Sequence, residues 1–252
     1  SAASDVYKRQ ELVKQYDSVS LLLQGGGALG AYQAGIYEGL HKQGIKIDCI
    51  SGISIGALNT AIIAGNRPEN RLAALQGFWN TITHRNYTPA GMNIYRQTAN
   101  ELDKLSKIDM VSHFMPWIFE NGFLKQQLRV MESTTEAWLT MIEGQRGFFK
   151  PRYFVPYDTT PNHLSYYTTD KLRETLERYC DLKLVNDVNR MKVSVSAVNV
   201  RNGNFAIFSN ENEELHYDHF IASGALPPGF PAVEIDGEYY CCLLYTSDAA
   251  DD

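Results

Sequence analysis

Twice within the first 65 residues an apolar run ends in glycine and passes straight into helix-forming sequence. The first instance is LLLQGGGALG, residues 21–30, and the second is CISGISIG, residues 49–56. A short buried strand, a glycine turn and a helix, repeated, argue for a parallel α/β sheet. In such a unit both strands end on the same edge, so the two glycine turns come to lie side by side.

The rest of the chain fits this frame. Residues 18–23 read as a buried strand. Residues 30–43 read as a helix with Ala31, Ala34, Ile36, Tyr37 and Leu40 apolar and Gly44 as its stop. A second strand is expected over 45–52, a small-residue helix over 56–64, and another helix over 67–83, where Pro68 suits a first turn. Residues 84–162, rich in Pro, Asn and aromatics, are expected to form loops and short helices over one face. A helix over 170–179 has Asp170 as its expected cap. Residues 192–200 alternate as a strand, and Asn202-Gly203 turns them into a hairpin with 204–209. A short helix over 217–224 and a tight turn at Ile235-Asp236-Gly237-Glu238 complete the pattern.

The two ends of the chain belong together. CLLYTSDAADD at the end and SAASDVYKRQ at the start can be encoded by opposite strands of one DNA read in shifted frames. Two protein termini have no physical reason to share that relation, so residues 1–10 and 242–252 are expected to be translated adapter sequence. The native domain is then residues 11–241, with Cys241 a hybrid codon and the text after Tyr240 lost.

About 230 residues suit one α/β domain with a sizeable core. The formal charge is −6. The tails hold Lys8 and Arg9 against Asp5, Asp248, Asp251 and Asp252, which leaves the native part at −4. That gives nucleic-acid binding no support. Cys49 and Cys180 are the secure native cysteines, and neither stands in a CxxC pattern, so reduced structural thiols in a cytoplasmic setting are expected. No run of about 18 apolar residues offers a membrane span.

The chemistry concentrates in the two turns. GISIG, Gly52 to Gly56, stands between strand and helix, the context of a nucleophile elbow: Ser54 would sit on a strained turn with its hydroxyl above the sheet. Alone, GxSxG is a weak signal, because small residues recur often. GGGALG, Gly25 to Gly30, also fits the dinucleotide fingerprint GxGxxG. That reading wants an acid at the far end of the second strand, and Asp48 stands at its beginning. No Lys follows Gly30, which removes a P-loop. With both strands ending on one edge, Gly25, Gly26 and Gly27 come beside Ser54. Amides at a glycine turn and helix start are then available to an oxyanion about 3 Å away.

GGGALG, then GISIG, then ASGALPPGFPAVEI at 222–235 resemble the patatin-like phospholipases. The resemblance implies a three-layer α/β/α fold with a mainly parallel central sheet, here incomplete at its C-terminus. It implies a Ser–Asp dyad that hydrolyses lipid acyl esters without a cofactor or metal. Ser54 matches the nucleophile, Gly25, Gly26, Gly27 and Ala28 the oxyanion loop, Gly52 and Gly56 the elbow, and Gly30 the end of the glycine motif. It implies a lipid substrate, transient contact with a membrane surface, and a cytoplasmic or membrane-peripheral enzyme. Two departures stand out. Leu29 replaces an Arg or Lys common in the family. The family's dyad aspartate follows a stretch like IDGEYY in an Asp-Gly-Gly or Asp-Gly-Ala motif, where the adapter begins here. The fragment is therefore expected to be nearly inactive.

Asp236 is a weak substitute base, since Asp-Gly between two apolar runs is ordinary hairpin chemistry. His113, His163, His216 and His219 lack a supporting motif for a triad. His216 and His219, three apart, lack a third zinc ligand. The apolar stretch Phe114 to Phe119 reads as packed core, with a lid over lipid as the functional option. A nucleotide-binding dehydrogenase and a non-catalytic lipid-binding relative remain the competing functions.

Overall fold

The computed structural model describes residues 15–83, 145, 147–152, 160–161 and 165–243. The chain divides into two compact units, Ser1–Thr83 with Arg146–Asp252, and His84–Gln145. The elements below all belong to the first. Of the expected loops and short helices of 84–162, residues 145, 147–152 and 160–161 are described and include a short strand, Lys150–Pro151; the apolar stretch Phe114 to Phe119, His113 and His163 lie outside the described residues.

Strand β1 (Ser20–Leu23) leads through a 3₁₀ turn (Gly27–Leu29) into helix α1 (Gly30–Lys42). Strand β2 (Cys49–Ile53) passes through Ser54 into α2 (Ile55–Ala64). A 3₁₀ turn at Pro68–Asn70 opens α3 (Arg71–Thr83). The short strands β3 (Lys150–Pro151) and β4 (Tyr167–Thr168) precede α4 (Asp170–Tyr179) and α5 (Leu182–Val185). Then come β5 (Lys192–Asn199), β6 (Phe205–Ser209), α6 (Tyr217–Gly224), β7 (Val233–Ile235) and β8 (Glu238–Cys241).

The main sheet runs β1-β2-β5-β8-β7, with β6 also on β5. Its centre is parallel, β1 on β2 and β2 on β5. The later strands join antiparallel through tight hairpins. Both hairpins use left-handed backbone: Gly203 has φ 70°, and Asp236 and Gly237 have φ 50° and 81°, which suits the right-handed twist of the strands they join. The fold is α/β, as its repeated strand–turn–helix pattern requires.

Ile50, Val193, Val195 and Ala197 point into one buried face of the sheet, and α2 lies on it. This helix is buried at every position. That is why its sequence is apolar and small all round, rather than striped like that of a surface helix. Helices α1, α3, α4 and α6 pack around it. Arg190 closes its C-terminal end by donating to the carbonyls of Ala64 and Asn66, a cation at the negative pole of a helix. Among the described residues the opposite sheet face presents Leu22, Phe205 and Ile207 to solvent and a Ser194–Ser51 hydroxyl contact of 2.9 Å.

Three local expectations shift. The second strand starts at Cys49 rather than residue 45, because Ile45 still donates back to Leu40. Helix α4 takes Thr169 as its N-cap and makes Asp170 its first residue, where a carboxylate suits the helix dipole without capping it. The four-residue α5, capped by Asp181 onto the Lys183 amide at 2.9 Å, carried no periodic signal.

Candidate active site

Ser54 occupies the sharp turn between β2 and α2 with φ 56° and ψ −124°. A side chain is rarely held there, and the conformation costs on the order of 1–3 kcal/mol. The flanking glycines explain how the turn closes. A β-carbon on Gly52 would meet Thr60 Oγ1 at 2.5 Å and collide with the Gly56 carbonyl. One on Gly56 would stand 2.7 Å from Gln24 O and closer still to Leu23 O. Strand β1 therefore lies directly against the start of α2.

That approach brings the glycine loop to the serine. A β-carbon on Gly25 would lie 3.2 Å from Ser54 Cβ and 3.9 Å from its Oγ. Gly26 and Gly27 take φ 146° and 55°, backbone that L side chains rarely adopt and glycine adopts freely. Gly25, Gly26, Gly27 and Ala28 are exposed, and helix α1 starts just behind them. Gly30 has a different task. A side chain there would strike Ile55 and the Trp79 ring, the latter at 2.9 Å, so Gly30 permits close helix packing.

A buried polar network fixes the loop. Asn59, fully buried on α2, donates to Gly30 O at 2.9 Å and to Gln33 Oε1 at 3.0 Å. It accepts from Trp79 Nε1 at 3.0 Å. Gln33 in turn donates to Gln24 O at 2.6 Å. From the other side, the Ser54 amide donates to Ser223 Oγ at 2.8 Å, and that hydroxyl donates to Ser196 O at 2.6 Å. Sequence reasoning gave Asn59, Gln33, Trp79 and Ser223 no role. Asn59, Trp79 and Ser223 lie far along the chain from the partners they hold, and Gln33, nine residues from Gln24, stood in a segment read only as helix.

The sheet register places one more position at the elbow. Ile53 pairs with Ser196 and Cys241 with Val198. The Asn199 amide turns to the hairpin, donating to Asn204, whereas that of Val200 donates to Tyr239. Strand β8 therefore lies on the edge of β5 that β2 occupies further back. Strands β2 and β8 occupy successive stretches of that edge, their pairing ending at Ile53 opposite Ser196 and Cys241 opposite Val198, with Ser54 and Cys242 next along each chain. Cys242 is buried and donates to Ala225 O at 2.6 Å, just past α6. Asp236 sits exposed at the far tip of the β7–β8 hairpin, on the order of 15 Å further up that ribbon, which is the turn role and not that of a base.

The remaining candidates take structural places. Asp48 accepts from the Val19 amide at 3.0 Å and pairs with Lys46 Nζ at 2.9 Å. The hydrogen bond from Lys46, then that from Val19, hold its carboxyl below the usual range. It lies at the start of β2, the end opposite the glycine loop, where no ribose bound at that loop could reach it. His219 accepts on Nδ1 from the His216 amide at 2.8 Å, and the pair caps α6. Among the described residues no cluster of His, Cys, Asp and Glu has metal-binding geometry. The thiols of Cys49, Cys180, Cys241 and Cys242 are free. Burial pushes Cys180 up to about 12 and Cys241 up to about 11, which keeps both unreactive at neutral pH. Among the described residues no helix is long and apolar enough to cross a membrane.

The chain is 53% identical over 47 residues to lysophospholipase nte1 of Aspergillus terreus, 19% of this chain and 3% of that protein. It is 38% identical over 63 residues to patatin-like phospholipase domain-containing protein 7 of Rattus norvegicus, 25% of this chain and 5% of that protein. The matches thus span only 3% and 5% of these relatives' lengths. The crystal structure of VipD from Legionella pneumophila covers 90% of this chain and 46% of its own, with TM-score 0.43 and 18% identity. The patatin-like phospholipase family model matches residues 21–248, and the chain belongs to that family.

Proposed function

We propose that the chain carries the active site of a serine acyl hydrolase for lipid esters. One observation supports this most: a serine on a strained strand-to-helix turn, packed against an exposed glycine loop. In this reading Ser54 Oγ attacks the ester carbonyl, and the amides around Gly25, Gly26 and Gly27 hold the oxyanion. The acyl group passes to Ser54, the alcohol leaves with a proton, and water releases the fatty acid. No metal or cofactor takes part. The competing dehydrogenase reading loses its acid to Lys46 and Val19.

The general base belongs at position 242. It follows the end of β8 as Ser54 follows the end of β2 on the same edge of β5, and the family's Asp follows the counterpart of Ile235 to Tyr240. The chain carries Cys242 there, within the segment read as foreign, so its own turnover is expected to be poor. A fluorophosphonate probe tests the nucleophile: label on Ser54, lost in Ser54→Ala, supports the hydrolase, and label elsewhere or nowhere, with Asp placed at 242, refutes it. That same outcome would favour a non-catalytic lipid binder.

Access to lipid rests on Leu29, Tyr32 and Ile36, which stand exposed beside the glycine loop and along α1. Such an apolar rim suits transient contact with a membrane surface by a protein working from the cytoplasm. Flotation with neutral phosphatidylcholine vesicles, comparing the chain with Leu29→Asp/Tyr32→Asp, measures it; equal flotation removes this part of the reading.

A further inference from the structure

We infer that Ser223 is a positioning residue, which holds the nucleophile turn in its strained shape and sets it in register with the chain leaving β8. Its hydroxyl is fully buried. It accepts from the Ser54 amide at 2.8 Å and donates to Ser196 O at 2.6 Å. Ser196 is the residue on β5 that pairs with Ile53, the last residue before the elbow. One hydroxyl therefore joins the end of β2, the adjacent strand β5 and the last turn of α6.

Two consequences follow. Ser54 keeps a backbone conformation foreign to L-residues only while its surroundings over-determine it. The amide one bond from its α-carbon is the group Ser223 grips, so the grip controls where Oγ points. It also engages the Ser54 amide as a donor, which leaves oxyanion binding to the glycine loop. The same stretch of α6 acts a second time, because Ala225, its C-cap, accepts from the Cys242 amide at 2.6 Å. Ser54 and position 242 are thus both referred to one turn of one helix. That helix is anchored by Phe220 and Ala222, both fully buried. A small side chain with one donor and one acceptor is what position 223 requires. Alanine would leave the amide of half-buried Ser54 and the carbonyl of Ser196 without this partner.

The kinetic part of this inference rests on the proposed hydrolase, whereas the structural part does not, and two readouts separate them. Amide hydrogen exchange of the whole chain is measured for the wild type, Ser223→Ala and Ser223→Thr, with the Ile50 and Val195 amides reporting that the sheet is folded. The Ser54 amide should exchange about tenfold faster in Ser223→Ala, the scale of one lost buried hydrogen bond, with recovery in Ser223→Thr. Unchanged Ser54 exchange in the alanine variant overturns the inference. With Asp placed at 242 in every protein compared, capture of Ser54 by a fluorophosphonate should slow about tenfold in Ser223→Ala and recover in Ser223→Thr, by the same arithmetic. Capture at the wild-type rate in Ser223→Ala overturns the positioning role. No capture in any variant, with the exchange response intact, upholds the grip on Ser54 and defeats the hydrolase reading.

Discussion

Gly56 lies against Leu23 so closely that a β-carbon on the glycine would overlap the leucine carbonyl, with Gln24 O only 2.7 Å away on the same side. Both obstacles are backbone, so neither can swing aside. Gly56→Ala should therefore destabilise the chain by about 1–3 kcal/mol or more, as overpacking does in a closed core. A β-carbon on Gly35, in α1, would meet nothing beyond its own helix within 4 Å among the described residues. Gly35→Ala should stabilise by about 0.5–1 kcal/mol, since alanine suits a helix interior better. Urea unfolding of the two variants checks the pair, and a similar midpoint for both would show that the contact with β1 is not as tight as the geometry states.

Ser54 is the residue at which stability and chemistry should oppose each other. Its φ of 56° suits glycine, while only serine carries the hydroxyl. Ser54→Gly should raise the unfolding free energy by about 1 kcal/mol, the strain released less the extra chain entropy of glycine. It should also abolish fluorophosphonate labelling. Ser54→Ala should abolish labelling with no such gain, because alanine keeps the strain. Thermal or urea midpoints for the three proteins decide it.

These contacts also show which parts of the molecule were legible in the sequence. GISIG and GGGALG announced the elbow and its loop because their signals are local: glycine at a turn, with a strand before and a helix after. The parallel register of β1 and β2 followed from that repeat. Asn59 was invisible because an asparagine in an apolar helix gives no hint that Gly30, Gln33 and Trp79 will surround it. Ser223 was quoted within a motif, yet its partner lies 169 residues away. The sharing of one edge of β5 by β2 and β8 was hidden for the same reason, since strand order is a long-range choice. Gly30 was read as the end of the glycine motif, and its close contact with Ile55 and Trp79 emerged only when α2 and α3 were in place.

Acid should loosen the fold through His219. The side chain is buried, its ring centroid 4.5 Å from that of Phe208. Burial lowers its pKa from the ordinary value of 6.5, while the nearby carboxylate of Glu213 opposes that shift without cancelling it. The folded state thus takes up the proton at lower pH than the unfolded chain. Between 6.5 and the lowered folded value the unfolded state binds more protons, so stability rises with pH across that window and is lost on acidification. Above it the contribution is flat. Asp48, also lowered, acts below its ordinary 3.8 and does not overlap. Urea midpoints between about pH 7.5 and 5 should fall for the wild type. They should fall less for His219→Gln, which keeps an acceptor for the His216 amide; parallel curves would exclude His219 as the cause.

Placing a carboxylate at position 242 should switch on the site. Ser54 and Cys242 directly follow Ile53 and Cys241, the last paired residues of β2 and β8 on one edge of β5. Cys242 is only 4% exposed, so an aspartate there would sit in low-dielectric surroundings that raise its pKa towards neutrality. A carboxylate so placed gains by sharing the Ser54 proton, and a positioned general base contributes about 10²–10⁴-fold in rate. Cys242→Asp should therefore raise hydrolysis of a soluble fatty-acyl ester by at least about 10²-fold over the parent chain. The rate should climb with pH as the carboxyl ionises and then level off. Cys242→Asn, of the same shape without the charge, should give no gain. Combining Cys242→Asp with Ser54→Ala should return the rate to background. A gain that survives Ser54→Ala, or equal gains from Asp and Asn, would show that the new carboxylate is not acting on this serine.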